Sequence, residues 1–508
     1  MVKPVMNAQT SHPDIDMDDV QGLVRFGHGH LSESAFLLLA IRDPGAAREW
    51  LAQTPVTSAR SQSRLPELAV QVAFTASGLG ALGVAQSTLM AFSEAFTTGM
   101  SGDENLSRRL GDTGSNHPRH WRWGGAAANT PHVLLMIYTL PGKLGDYLQQ
   151  MLASNFAAAF EVQHTLHATS PGPEEPFGFV DGISQPMIDW KQSMRNDPRA
   201  RDHYNNLLAP GEVLLGYPNE YGLYTDRPLL HPSEAPGSQL LPTAIDQPLQ
   251  KDLGRNGSYV VLRQLLQDVP AFWRFIDEQS GSDAGRRDQL AAAMVGRRRD
   301  GTPLATLATR PIAGLQADNV FNFDDDPRGR QCPLGAHIRR ANPRTGDFPP
   351  GVNSAVKRLL RTVGFDRENA AEDLIAASRF HRILRRGRAF GSRLTPEQAL
   401  SKPPLQEAQE ERGLYFVCLG ANIARQFEFV QNAWIVNAKF AGLPTESDPL
   451  LGNREPLASG AATNCFSQPR AGEPAHCVHD LPQFVTVCGG AYFFMPGLRA
   501  LTFILQQK

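Results

Sequence analysis

The stretch HVLLMIYTL (His132–Leu140) continues into PGKLGDYLQQML (Pro141–Leu152) and then into FEVQHTLHAT (Phe160–Thr169). The first segment is almost wholly apolar, as in a buried strand, and the second has the apolar spacing of a helix that follows a turn. The third alternates in the manner of an edge or barrel strand. Together they predict a strand–helix–strand unit, on which the interpretation of the rest of the chain is built.

The residues upstream of this unit extend the same alternation. Gln21–Gly27 (QGLVRFG) predicts a strand, and Leu31–Gln53, with its Ser and Asp caps and Ala content, predicts a helix. Leu68–Phe74 (LAVQVAF) predicts a short strand, and Ser77–Val84 (SGLGALGV) opens a further helix. The resulting order β-α-β-α-β-α-β is close to a ferredoxin-like unit with an added helix.

The second half of the chain repeats this layout after a long loop-rich segment. From about residue 171 to 256 the sequence is dominated by Pro, Gly, Asp and Asn, which predicts a functional connector. A strand and a helix then begin at Gly257–Ile276, and further strands follow at Gly413–Ile423 and Gln483–Met495. We therefore expect an α+β chain whose two ferredoxin-like sheets pack together. Its predicted divisions are a disordered arm over 1–18, an N-terminal domain over 19–205, a connector over 206–256 and a C-terminal domain over 257–508.

Composition excludes several functional classes. The 508 residues include 49 Lys and Arg against 51 Asp and Glu, so no overall charge favours nucleic acid or an anionic membrane. No apolar run approaches the roughly 20 residues that a membrane-spanning helix needs. The first residues show no export signal and the five cysteines are scattered, so we expect a cytoplasmic protein with free thiols. The oligomeric state is left open.

Two motifs suggest chemistry that their context does not support. Gly78, Gly80 and Gly83 form G-x-G-x-x-G after a predicted strand, but the residues that should supply the acidic partner about 20 positions on are loop-like. We interpret this motif as a tight strand-to-helix turn. His476 and His479 flank Cys477, yet a fourth ligand and a regular zinc spacing are missing, so a surface loop is the better interpretation.

Three other segments carry the most informative residues. In FGFVDGISQP (Phe177–Pro186), Asp181 stands between glycines and apolar residues, where an acid is costly unless it is paired or moves protons. CPLGAHIRRANPR (Cys332–Arg344) contains the single histidine His337 followed by arginines. HRILRRGRAFG (His381–Gly391) adds a basic turn. Taken singly, each is more often structural than functional.

Together, in this order, the three segments resemble the dye-decolourising (DyP-type) haem peroxidases. Gly178 to Gly182 matches the Gly-x-x-Asp-Gly signature of that family, and the other two segments are similar to its proximal-histidine and distal-arginine segments. The resemblance covers nearly the whole chain, and the length suits the larger, fungal-like branch. It implies a dimeric α+β barrel within one chain, and an enzyme that reduces hydrogen peroxide and oxidises dyes, phenolics or other one-electron donors through a ferryl intermediate.

The resemblance implies one haem b per chain, with iron held by His337 as its metal ligand. Glu428 is our candidate for the acceptor that orients the second ring nitrogen of this histidine. Arg344 is expected to bind a haem propionate, and Arg339 is a weaker candidate for that task.

On the opposite face of the haem, Asp181 is expected to move the peroxide proton, carried by the loop from Gly178 to Gly182. Arg385 is expected to stabilise the developing charge, with Arg386 as its alternative. Apolar side chains of Leu414 and Phe416 would keep bulk water out of the pocket.

Three other functions remain to be distinguished from a peroxidase. One is a haem-free α+β barrel, and a second is a haem protein of the same fold with a haem-handling or chlorite-type role. The third is a nicotinamide dehydrogenase, which the motif from Gly78 to Gly83 suggests. The pairing of Asp181 with Arg385 favours the peroxidase.

Overall fold

The computed structural model describes residues 14–153, 155–169, 172–192, 207–233, 235, 237–305, 319, 321–323, 325–344, 377–401 and 410–507. No helix within these ranges combines the length and the apolar character needed to cross a membrane.

A nine-stranded antiparallel sheet is the central element of the described chain. Its strands, numbered along the chain, are β1 Glu33–Ile41, β2 Leu68–Phe74, β3 Val133–Thr139, β4 Phe160–Thr169, β5 Ser258–Gln267, β6 Leu384–Arg385, β7 Arg388–Phe390, β8 Gly413–Gly420 and β9 Val485–Met495. Three short ladders lie outside this sheet: Met187–Ile188 with Leu207–Leu208, Leu229–Leu230 with Lys251–Asp252, and Phe466–Gln468 with His476–Val478.

The strand order shows a duplicated architecture. The sheet runs β6–β8–β5–β9–β2–β3–β1–β4, and β7 also pairs with β8. The first half therefore has the order β4–β1–β3–β2 and the second half the equivalent order β9–β5–β8–β6, which is the ferredoxin-like arrangement in each case. The halves meet where Phe494 of β9 pairs with Phe74 of β2. Strand β7 also approaches β4 at the other edge, so the sheet curls on itself. The predicted duplicated α+β fold is confirmed.

Helices cover the outer face of the sheet. Numbered along the chain, the α-helices of the described residues are α1 Gly22–Arg25, α2 Pro44–Gln53, α3 Ala76–Ala81, α4 Gln86–Leu89, α5 Glu94–Thr98, α6 Glu104–Leu110, α7 Leu144–Met151, α8 Phe156–Ala159, α9 Val269–Gln279, α10 Ala284–Val295, α11 His337–Ala341, α12 Pro396–Ala399 and α13 Leu498–Leu505. Two π-helical segments follow β8, at Ala424–Glu428 and Val430–Ile435.

Strand β1 is buried on both faces, and for this reason its sequence was mistaken for the start of a helix. Phe36 and Leu38 pack inside the curled sheet, whereas Leu37 and Leu39 pack under the outer helices. A strand with two buried faces is continuously apolar and has no alternation to distinguish it from a helix. The helix predicted over 31–53 is therefore wrong in its first part, which is β1.

The end of that predicted helix is correct. Helix α2 begins after Asp43, whose Oδ1 accepts a hydrogen bond from the backbone N–H of Ala46 at 2.7 Å, and Pro44 occupies the first helical position. The strand predicted over 21–27 is also wrong, because Gly22–Arg25 form α1.

The predicted arm over 1–18 lies mostly outside the described residues, but its last residues pack on the body. Ile15 is buried, and Asp16 Oδ2 accepts a hydrogen bond from Arg499 Nη2 at 2.6 Å. The connector predicted over 206–256 is loop-rich where it is described, and the ion pair between Arg227 and Asp252 stabilises it internally.

The glycine motif is a packing device. A Cβ on Gly78 would lie 2.0 Å from the carbonyl oxygen of His132, so this turn requires the missing side chain. Strands β2 and β3 are antiparallel, whereas a dinucleotide fingerprint needs a parallel sheet. Among the described residues no group of three or more His, Cys, Asp or Glu could hold a metal ion. His476–Val478 pairs with Phe466–Gln468 in a short antiparallel ladder.

Two alanine substitutions in this motif test its structural role. We expect Gly78→Ala to lower stability by about 2 kcal/mol or more, because the new Cβ overlaps a backbone carbonyl that cannot move away. Gly80→Ala is the matched control: its nearest neighbour is Leu89 Cδ1 at 3.4 Å, and alanine favours the helix by roughly 0.5–1 kcal/mol. Thermal and urea unfolding midpoints measure both. Equal midpoints for the two variants would contradict the packing explanation.

Candidate active site

A cavity lies against the outer face of the second half of the sheet, and strand alternation determines its wall. Leu414 and Phe416 of β8 line the cavity, whereas the intervening Tyr415 and the following Val417 pack inside the curled sheet. Both residues predicted as an apolar lid therefore line the cavity. Phe427 and Val485 extend the apolar wall.

His337 is the first residue of α11, and a buried carboxylate fixes its ring. Its Nδ1 lies 3.0 Å from Asp448 Oδ2, and Asp448 is fully buried with Oδ1 accepting from the backbone N–H groups of Leu450 and Leu451. Burial lowers the pKa of His337, but the charge and hydrogen bond of Asp448 outweigh burial, so that this pKa is raised. His337 lines the cavity. Because Asp448 engages Nδ1, Nε2 is the ring nitrogen that can bind a ligand in this cavity.

Asp448, and not Glu428, is the partner of this histidine. Glu428 Oε1 instead accepts a hydrogen bond from the hydroxyl of Tyr492 at 3.0 Å, and Glu428 does not line the cavity. Asp448 lies 111 residues after His337 in the loop segment PTESDPL. No local pattern in that loop indicates the contact, which only the tertiary fold creates.

Asp181 and Arg385 form an ion pair in the cavity wall. Arg385 Nη1 donates to Asp181 Oδ1 at 2.9 Å, and the backbone N–H of Arg385 donates to Gln185 Oε1 at 3.0 Å. The Asp181 side chain is 42% exposed, and this surface opens onto the cavity. Burial among protein atoms raises the pKa of Asp181, but Arg385, the Gly182 N–H and His337 together lower it below its usual value. Asp181 is therefore a carboxylate at neutral pH.

Backbone geometry explains the two glycines on either side of Asp181. Gly178 has φ +94° and Gly182 has φ +82°, values that side-chain-bearing residues rarely adopt. Two backbone hydrogen bonds hold the intervening turn. The N–H of Val180 donates to the Arg299 carbonyl at 3.0 Å, and the N–H of Asp181 donates to the Pro173 carbonyl at 2.9 Å. The Gly-x-x-Asp-Gly signature thus encodes a turn that directs one acid into the cavity.

Arg386, the alternative to Arg385, lies against α1 and not beside Asp181. Its Nε donates to the carbonyl of Leu23 at 2.8 Å and its Nη2 to that of Val24 at 3.1 Å, so it ties the basic turn to α1. It does not line the cavity. Of the two arginines considered from the sequence, the structure places Arg385 beside Asp181.

Three arginines line another part of the cavity and make it strongly cationic. Arg297 and Arg344 lie over the ring of Phe321, with guanidinium-to-centroid distances of 5.4 and 3.8 Å, and Arg382 completes the group. Burial, followed by the like charges of Arg382 and Arg297, lowers the pKa of Arg344. Burial and the charges of Arg379 and Arg385 lower the pKa of Arg382 to about 9. A cluster under such mutual repulsion favours an anionic occupant.

Only one of these three arginines was identified from the sequence. Arg344 was expected to face a haem propionate, whereas Arg297 and Arg382 were missed. Arg382 stands in the segment His381–Gly391, where only Arg385 and Arg386 were considered, and Arg297 lies in a separate segment that was not singled out. Arg339, the weaker candidate, is turned away: its Nη1 donates to Asp326 Oδ2 at 3.2 Å and to the Cys332 carbonyl at 2.7 Å. It packs on Phe323 and does not line the cavity.

The donor set of the cavity fits haem. A metal macrocycle with two carboxylates needs one axial nitrogen, apolar walls and cationic partners. His337, the wall of Leu414 and Phe416, and the arginine cluster of Arg297, Arg344 and Arg382 supply these three features. Asp181 and Arg385 are further groups that a purely storage-type pocket would not need.

Comparisons with known proteins agree with this geometry, although no family model matches the chain. "Peroxidase 2" of the fungus Mycetinis scorodonius is 28% identical over 519 residues, which cover 96% of this chain and 87% of the relative. A dye-decolorizing peroxidase of Auricularia auricula-judae is 28% identical and covers 97% of this chain and 88% of its own. A crystal structure of a decolorizing peroxidase from the same fungus has 25% identity and a TM-score of 0.68, over 97% of this chain and all of the other.

The chain is similar over nearly its whole length to dye-decolourising peroxidases. It is a peroxidase, and its similarity to dye-decolorizing peroxidases implies haem binding in general. A DyP-type peroxidase from Anabaena, at 22% identity and a TM-score of 0.68, shares the same fold. The haem-handling alternative is not favoured, because the relatives are named peroxidases.

A pair of substitutions tests which acid orients His337, the residue expected to ligate the haem iron. We expect Asp448→Asn to weaken haem retention about 10- to 100-fold, since outer partners of metal ligands typically contribute that much. Glu428→Gln is the control and should retain haem as the wild type does, because its carboxylate contacts Tyr492. Haem transfer to an excess of apomyoglobin measures retention. Loss of haem from Glu428→Gln but not from Asp448→Asn would overturn the assignment.

Proposed function

We propose that the chain binds one haem b through His337 and uses it to reduce hydrogen peroxide while oxidising dyes, phenolics or other aromatic one-electron donors. The observation that carries this proposal is the meeting, in one cavity, of a carboxylate-oriented imidazole, the Asp181–Arg385 pair and the arginine cluster. The named activities of the relatives support the choice of substrates.

Binding of the haem is assigned to residues on three sides of the cavity. His337 would ligate the iron through Nε2, and the arginine cluster would neutralise the propionates. Leu414 and Phe416 would pack on the macrocycle and exclude bulk water, which strengthens every charge interaction in the pocket. When bound, haem supplies the iron centre that takes up the two oxidising equivalents of peroxide.

Asp181 is the proposed proton carrier. Its carboxylate, held by Arg385 through Oδ1, would accept a proton from one peroxide oxygen and return it to the other. Because the pKa of Asp181 is lowered, the carboxylate stays ready to accept a proton even in mild acid.

Arg385 would act on the same event through its fixed charge. Its guanidinium keeps Asp181 ionised and oriented, and it can stabilise negative charge that develops on the departing oxygen. The hydrogen bond from its own backbone to Gln185 holds β6 against the loop that carries Asp181, so the two side chains move as one unit.

Replacement of the iron ligand tests haem binding. We expect His337→Ala to abolish stable haem loading, because it removes the proposed protein ligand, and added imidazole should restore part of it. Arg344→Leu should weaken loading less, since Arg297 and Arg382 remain. Soret absorbance after reconstitution measures both. A His337→Ala protein with the wild-type ferric spectrum in the absence of imidazole would show that another residue is the ligand.

Substitution of the ion pair tests the chemistry. Asp181→Asn should slow the reaction with peroxide about 100- to 10,000-fold, and Arg385→Leu about 100- to 1,000-fold. We expect Arg385→Leu to slow this reaction at least as much as Asp181→Asn does. The double mutant should lose less of the rate than the product of the two single losses. Because the pKa of Asp181 lies below its usual 3.8, the wild-type rate should persist into acid.

Stopped-flow loss of the resting Soret band gives these rates. Arg386→Lys is the matched control, because Arg386 contacts backbone carbonyls of α1, and its rate should equal that of the wild type. A wild-type rate for Arg385→Leu, or a pH optimum above neutrality with peroxide cleavage limiting, would contradict the assignment.

A further inference from the structure

A second acid, Glu175, lines the same cavity and holds the loop that carries Asp181. Its Oε2 accepts a hydrogen bond from the backbone N–H of Phe177 at 3.0 Å, and its Oε1 accepts one from that of Phe179 at 3.1 Å. The N–H of Glu175 in turn donates to the Phe179 carbonyl at 2.9 Å. The carboxylate therefore closes the turn from within, directly before Asp181.

A glutamine from the sheet completes this arrangement. Gln267, the last residue of β5, donates from Nε2 to Glu175 Oε2 at 2.8 Å, and it also lines the cavity. Its Oε1 is buried without a hydrogen-bond partner in the described part of the chain. The pair thus forms a polar patch beside Val485 of the apolar wall, which a role in packing alone would not require.

The charges around Glu175 are unevenly distributed. Asp181 on the same loop is the neighbouring negative charge, and Arg299 faces the loop from the other side, with Nε 3.4 Å from the Gly178 carbonyl. Arg393, from the segment after β7, is bound to Glu174, and Asp268 caps α9 at the end of β5. No cation forms an ion pair with Glu175 among the described residues. Burial, assisted by the charge of Asp181, raises the pKa of Glu175 to about 7 against the opposing hydrogen bonds from Gln267, Phe177 and Phe179.

We propose that Glu175 is a positioning residue for the peroxide reaction: it fixes the loop that presents Asp181, and its protonation state sets the charge that Asp181 experiences. This inference rests on the proposed role of Asp181. In the protonated state of Glu175, Asp181 is the one negative charge opposite Arg385 in this part of the described cavity wall. When Glu175 ionises, a second negative charge raises the proton affinity of Asp181 and repels anions from the cavity that both acids line.

The direction of the pH dependence follows from a raised pKa. Below about pH 7 Glu175 is neutral, and above it the residue becomes a carboxylate. An anion that binds in the cavity should therefore bind less tightly as the pH rises through 7, beyond any change due to Asp181, whose own pKa is lowered. A residue that only closes a turn would give no such transition.

Fluoride binding to the ferric haem-loaded protein, followed from about pH 5 to about pH 9, measures this charge. We expect the wild type to show an inflection near pH 7, with affinity about tenfold lower above it, the change that one pKa unit of coupling produces. Glu175→Gln should remove the inflection. Gln267→Met should move it to higher pH, because it deletes a hydrogen bond that favours the charged acid. Glu174→Gln, which changes the adjacent acid bound to Arg393, should leave it in place.

Infrared difference spectra of the same samples provide a measurement that does not depend on the ligand. A carboxylic-acid C=O band should be present in the wild type at about pH 5 and lost with a midpoint near 7, and it should be missing from Glu175→Gln and shifted upward in Gln267→Met. A wild type without this titrating band, or an inflection that survives in Glu175→Gln, overturns the proposal. Failure of the proteins to load haem or bind fluoride would instead contradict the proposed function, while the infrared band would still test Glu175.

Discussion

The hydrogen bond between His337 and the buried carboxylate of Asp448 is the interaction on which the site depends. A fully buried acid is costly unless it is satisfied, and Asp448 is satisfied by the imidazole together with two backbone N–H groups of its own loop. The bond commits Nδ1 and makes the ring more basic at Nε2, as a metal ligand requires. It also joins α11 to a loop more than a hundred residues away, and Leu450 and Leu451 of that loop line the cavity together with His337.

The fold supplies the other requirements through strand alternation and charge separation. Leu414 and Phe416 of strand β8 line the cavity, whereas the alternate residues of β8 pack inside the curled sheet. One strand therefore contributes both to the cavity wall and to the core inside the sheet. Arg297, Arg344 and Arg382 form the cationic region of the cavity. At the Asp181 loop, Arg385 holds one carboxylate charged, whereas Glu175 lies in surroundings that favour its neutral form. Two acids in one cavity thus receive opposite environments.

The sequence allowed prediction of those parts of the site that lie within short segments. Asp181, His337 and Arg385 each stand in a recognisable local pattern, and all three line the cavity. Asp448 could not be found in this way, because nothing in its loop marks a contact formed 111 residues from its partner, and Glu428 was chosen in its place. Strand β1 was mistaken for a helix because burial on both faces removes the alternation that identifies a strand. The duplicated sheet was nevertheless predictable, since β5 with α9 repeats the earlier strand-and-helix layout.

A crystal structure of the haem-loaded chain tests the central claim most directly. The account predicts that Nε2 of His337 ligates the iron while Nδ1 keeps its 3.0 Å contact with Asp448, and that the propionates lie beside Arg297, Arg344 and Arg382. Iron held by a different side chain, or a His337 ring turned away from Asp448 in the loaded protein, would contradict it.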